Sequence, residues 1–221
     1  MTGPLLAAAA LLARLSWAGA VPVTIAAESP PPPPTPGHRL ADPCAQGALG
    51  NDRMGRRQHC AGLTSYAFQP EVQVAYDDAP DGAKNATAWI DEVRVQFSLG
   101  LSMEVTAFYP AGSCPYVVTL AHETGHWNDY RAIQRSAAAG LRADLEKAGL
   151  PSKDSPARLP AKGIAAFEKK TTAKIAALFT ARRDDFLRRA KAAAAKRDSP
   201  YSYQKNDVTK CPSSDWITSV P

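Results

Sequence analysis

The chain has 221 residues, 45 % of them apolar and 21 % charged, with 26 Lys and Arg against 21 Asp and Glu for a formal net charge of +5. That is an ordinary soluble globular composition, long enough for one domain with a sizeable core, or one domain and a tail. Beyond residue 27 nothing approaches the roughly 18 consecutive apolar residues of a membrane span, so no transmembrane segment is expected in the mature chain.

Residues 1–27 read as an export signal. "LLAAAALLA" (5–13) serves as the apolar region and "AGA" (18–20) as a small-residue cleavage site. A second reading takes Arg14 as the leading charge, "LSWAGAVPVTIAA" as the apolar region, and cleavage after Ala27. Either gives a secreted or periplasmic protein; the alternative is an uncleaved N-terminal anchor. Residues 28–39 hold "SPPPPPTPG" and read as a stiff polyproline II linker. The folded domain is then expected over residues 40–221.

Residues 40–63 are rich in Gly, Asp and Arg and predict irregular structure held by Cys44 and Cys60. Cys114 and Cys211 complete an even set of four with no CxxC pair. In an oxidising compartment this predicts two disulfides, of three possible pairings. Cys44–Cys60 with Cys114–Cys211 is favoured, and the spacings do not favour a thiolate zinc site.

"EVQVAY" (71–76) puts Val72, Val74 and Tyr76 on one face of a short strand. "DDAPDGAKNA" (77–86) predicts a turn, and Asn85-Ala86-Thr87 is a glycosylation sequon only in a eukaryotic source. The longest period-2 run is "VRVQFSLGLSMEV" (93–105), with a bulge or hairpin bend expected at Gly100. From Val117 the character changes. Residues 117–149 and 163–197 lack proline and are rich in helix formers, while "GLPSKDSPARLPAKG" (149–163) separates them. Strands followed by a long two-helix hairpin predict a segregated α+β fold. No internal repeat is visible.

The first helix carries "LAHETGHWNDY" (120–130). His122 and His126 fall one turn apart on one helical face, about 5–6 Å between Cβ atoms, a spacing that lets two imidazoles grip one tetrahedral Zn²⁺. Glu123 is rotated too far round to be a ligand, yet it can reach a metal-bound water as general base. A surface helix that happens to carry two histidines is the bland alternative.

A strand leading into a helix with His122-Glu123-Thr124-Gly125-His126 resembles the zincin metallopeptidases. The resemblance implies that the preceding edge strand holds the substrate peptide, a role for the 93–105 run. "CAGLT" (60–64), "YPAGSCPYVVTLAHETGH" (109–126) and "RDSPYSYQKNDVTKC" (197–211) are similar to a group of secreted bacterial proteins described as zinc-dependent proteases. This second likeness covers residues from about 60 to 211 and supports the Cys114–Cys211 pairing.

The third ligand is less marked. The metzincin extension needs a glycine where Asp129 stands and a His or Asp where Ala132 stands, and His38 and His59 lie in the linker and the irregular segment. A carboxylate is therefore preferred. In an antiparallel hairpin turning between 149 and 163, facing positions sum to about 312, which sets His126 opposite residue 186. Asp185 fits that height and continues the stripe Ile164, Thr171, Leu178. An ion pair with Arg182 or Arg189 is the equal alternative for Asp185. Asp129 is expected to orient a histidine, and Asp198, just past the helix end, is a third candidate. Tyr201 and Tyr203 are candidate oxyanion stabilisers.

Residues 131–210 hold 19 Lys and Arg against 8 Asp and Glu, densest in "RRDDFLRRAKAAAAKR" (182–197). A solvated helix face is the default for such a run, and association with an anionic polymer or surface is the functional reading. No nucleic-acid motif accompanies it. The sequence therefore predicts a secreted zinc metallopeptidase acting on peptide or protein substrates. The alternatives are a zinc hydrolase of a cell-wall amide, and a non-catalytic binding protein that uses the basic helices.

Overall fold

The alternating run at 93–105 forms the middle of a strand with one face in the core: Val93, Val95, Phe97, Leu99, Met103 and Val105 are all buried. The computed structural model describes residues 21–27, 62–105, 109–199 and 208–212. Their elements are β1 (Val23–Ala27), β2 (Gly62–Asp81), β3 (Asn85–Val105), α1 (Cys114–Lys147), β4 (Ala157–Pro160) and α2 (Ile164–Arg197), with 3₁₀ turns at Ala161–Gly163 and Val208–Lys210. The architecture is mixed α+β, one four-stranded sheet and two long helices that follow the long strands.

β2 and β3 form a hairpin through residues 82–84, with Gly82 at φ 81°, where a side chain would be strained. β2 is far longer than "EVQVAY", and the expected turn at 77–86 shrinks to three residues. The sheet order β1–β3–β2 puts β2 at an edge, where Pro70 and Pro80 need not cost a ladder bond. No bend falls at Gly100; β3 runs through it.

The described residues divide into two compact units. The first comprises 21–27, 69–98 and 134–186. Here β3 pairs antiparallel with β4 at Asn85–Ala88 and parallel with β1 at Val93–Phe97. α1 buries Gln134, Ala137, Ala138, Leu141 and Leu145, and α2 buries Thr171, Ile175 and Phe186. The Gln134 amide donates to the Phe97 carbonyl at 2.8 Å, which satisfies a buried polar group. β1 lies inside the segment read as an export signal, and Val93 N donates to Pro22 O at 3.0 Å beside it. Cleavage after Ala20 keeps this strand; cleavage after Ala27 removes it.

The second unit comprises 62–68, 99–133, 187–199 and 208–212, less residues 106–108. α1 starts at Cys114, three residues before the expected start. Pro115 is tolerated in the first turn, where its missing N–H has no helical partner to lose. Cys114 is bonded to Cys211, the favoured pairing, while Cys44 and Cys60 lie outside the described residues. The bridge spans 97 residues, a loop whose closure is worth about 2–5 kcal/mol. The Cys114→Ser, Cys211→Ser variant should therefore melt roughly 5–15 °C lower by circular dichroism. An unchanged midpoint would mean that other contacts already close that loop.

Candidate metal centre

α1 buries a stripe at three- and four-residue spacing, and within the second unit that stripe reads Thr119, His122, Glu123, His126, Trp127, Tyr130, Ile133. Two imidazoles and a carboxylate thus occupy core-facing positions, at 5 %, 6 % and 5 % exposure for His122, His126 and Glu123. Buried polar groups need partners, and the two histidines share one. Their Nε2 atoms lie 3.0 and 2.9 Å from Asp198 Oδ1 and 3.2 Å from each other.

Asp198 follows the last residue of α2, with its amide still bonded to Ala194 O at 2.8 Å. Its side chain is 46 % exposed, so the triad opens toward solvent on the carboxylate side. Burial pushes the Asp198 carboxyl up. The hydrogen bonds and charges of His122 and His126 outweigh that and hold it well below the usual carboxylate range.

The three atoms fit a divalent cation. A tetrahedral zinc with bonds of about 2.0–2.1 Å separates its ligand atoms by about 3.3 Å, close to the three distances found here. Two imidazole nitrogens and one carboxylate oxygen converge within hydrogen-bond distance of one another, an arrangement that could hold a metal ion. Among the described residues this is the only such group of three or more His, Cys, Asp or Glu.

Glu123 is held from β2. Thr64 Oγ1 donates to Glu123 Oε2 at 2.7 Å and lies 3.1 Å from the Glu123 carbonyl. Gly62 presses against the other carboxylate oxygen, because a Cβ there would come within 2.8 Å of Oε1. Burial raises the Glu123 pKa, with the Thr64 bond and the two imidazoles partly opposing it. Tyr130 stacks on His126, ring centroids 6.2 Å apart, and packs on Tyr66 at 4.7 Å. Burial, then Tyr66, Asp198, Glu123 and Asp129, push its phenol up to about 12, so it stays protonated.

Of the carboxylates considered from the sequence, the structure brings Asp198 to the two histidines, and neither Asp185 nor Asp129. Asp185 is not part of the triad; it is half-buried in the first unit, where its charge acts on Arg182. The cause is the helix register. Arg182 pairs with Asp144, and Arg197 with Asp129, so facing positions sum to 326 rather than 312. The 148–163 connection is not a symmetric turn; it contributes β4 to the sheet and lets α2 begin well beyond the end of α1. Asp129 pairs with Arg197 rather than with a histidine. Gly62, Thr64, Tyr130 and Arg197 were not anticipated as site residues, while Tyr201, Tyr203, His38 and His59 lie outside the described residues. Comparison with family profiles, with curated proteins and with solved structures found no match.

Proposed function

We propose that the chain is an exported zinc-dependent hydrolase of the zincin type, with peptide bonds as the favoured target. The observation that carries this reading is the convergence of His122, His126 and Asp198 on one point, with a buried, oriented Glu123 on the same α1 stripe as the two histidines. Zinc held there would supply Lewis acidity to a scissile carbonyl and lower the pKa of a water. Glu123 would accept a proton from that water as its oxygen adds to the carbonyl carbon. The same proton then goes to the leaving nitrogen as the C–N bond breaks. A carboxyl whose pKa is raised by burial suits such a shuttle, since it must give the proton back.

The leader-like segment and the Cys114–Cys211 bridge support an extracytoplasmic setting. The exposed Lys169, Lys170, Lys191 and Lys196 of α2 support the alternative of a binding protein for anionic surfaces.

Metal content and turnover test the proposal together. Elemental mass spectrometry should find about one zinc per wild-type chain and none in His122→Ala. On a peptide library, Glu123→Gln should keep its zinc and lose turnover by roughly 10²–10⁴-fold. Zinc absent from both proteins after reloading at neutral pH would sink the enzyme reading. Zinc bound without any effect of Glu123→Gln would favour the binding protein.

A further inference from the structure

Two side-chain clasps of the same composition join α1 to α2, one within each unit. In the first unit, Arg182 lies across Gly140, where a Cβ would meet its guanidinium at 2.7–2.8 Å, and its Nε and Nη2 donate to Asp144 at 2.6 and 2.8 Å. In the second, a Cβ on Gly125 would overlap the Arg197 guanidinium, whose Nε and Nη2 donate to Asp129 Oδ2 at 2.8 and 2.7 Å. In both, the aspartate follows the glycine by four residues, one helical turn. The two pairs are also similarly covered, with side-chain exposures of 31 % and 28 % against 27 % and 34 %.

They differ in what comes next along α2. Arg197 ends the helix and is followed at once by Asp198, whose Oδ1 meets both histidines. Arg182 is followed by Arg183, which pairs with Asp184 on the surface. A helix end frays readily, and a carboxylate there opposes the macrodipole. Beyond its amide bond to Ala194 O, residue 198 has little local structure to keep its side chain in place.

We infer that the Gly125–Asp129–Arg197 clasp is a positioning device for the metal centre: it pins the last turn of α2 to α1 so that Asp198 meets His122 and His126. The inference rests on the metal centre proposed above. Gly125, the penultimate residue of the HETGH motif, leaves the gap through which the guanidinium crosses the helix. Arg197 and Asp129 touch no ligand atom in this role; they act through the backbone of residue 198.

The first clasp is a built-in control for mere stabilisation. Asp129→Ala and Asp144→Ala are to be compared in zinc affinity, by competition with a chromophoric chelator, and in the thermal midpoint of the zinc-free protein. Both should lower the midpoint by a few degrees. Only Asp129→Ala should weaken zinc, by about 10–100-fold, as loss of an outer partner of a metal site does, and Asp129→Glu should recover part of it. If Asp129→Ala does not fold, Asp129→Asn against Asp144→Asn decides, since the amide keeps an acceptor for the arginine. Equal zinc affinity in the two variants would overturn the inference and leave the metal centre standing. A wild-type protein that binds no zinc would overturn the metal centre itself, and the clasp's role with it.

Discussion

At the proposed zinc site, Asp198→Ala should cost more affinity than the roughly 10–100-fold that an outer partner is worth, whereas Asp185→Ala should leave it within about twofold of wild type. The two aspartates lie on one helix and its end, thirteen positions apart, yet only Asp198 supplies an oxygen to the imidazole pair. Catalytic zinc takes three protein ligands and leaves the remaining position open. Two histidines alone fall short of that number. The substitution also removes the carboxylate oxygen that both Nε2 atoms share. Chelator competition on the two variants and the wild type settles the matter in one titration series. Wild-type affinity in Asp198→Ala would mean that a residue beyond the described ones completes the site.

Much of this centre is legible in the sequence because its strongest signal is local. His122, Glu123 and His126 share one helix, and α-helical periodicity alone puts the two histidines on a common face. The period-2 run at 93–105 is equally direct, because a strand buried on one face must alternate. The long-range parts are harder to read. Asp198 depends on a helix register that the fold-back segment cannot supply, since that segment spends residues on β4. A better guide was present in the spacing itself. Gly125 and Asp129 recur as Gly140 and Asp144, fifteen residues on, and Arg182 and Arg197 are also fifteen apart. Matching the two series returns the observed register. The acid at the C-terminal end of a helix full of Lys and Arg was a second hint, because it opposes the macrodipole and so asks for a partner.

The strand that holds Glu123 was hidden for another reason. Gly62, Leu63, Thr64 and Ser65 look like the tail of an irregular segment, and their alternation emerges only with Tyr66 and Phe68. β1 was hidden by ambiguity, because a short apolar stretch suits an export signal and an edge strand alike.

That hidden strand leads to the second large expected effect. In the proposed zinc hydrolase, Gly62→Ala and Thr64→Val should each reduce turnover while leaving zinc bound, because both act on Glu123 and neither would supply a ligand. A methyl group at residue 62 would lie 2.8 Å from Glu123 Oε1 and 2.8 Å from Thr119 Cγ2. Either the strand or the carboxylate must move, and a displacement near 1 Å at a reacting group costs on the order of 10²-fold. Thr64→Val keeps the shape and removes the donor to Oε2. Hydrogen bonds to charged groups are worth about 1.5–3 kcal/mol, so a loss of roughly 10–100-fold in kcat is expected with KM little changed. Thr64→Ser, which restores the hydroxyl, should recover most of that loss. In a Glu123→Gln background, Thr64→Val should add almost nothing, since its effect passes through the carboxylate it orients. An undiminished penalty in that background would instead make Thr64 a packing residue at the start of β2, and Glu123 would then owe its orientation to α1 alone.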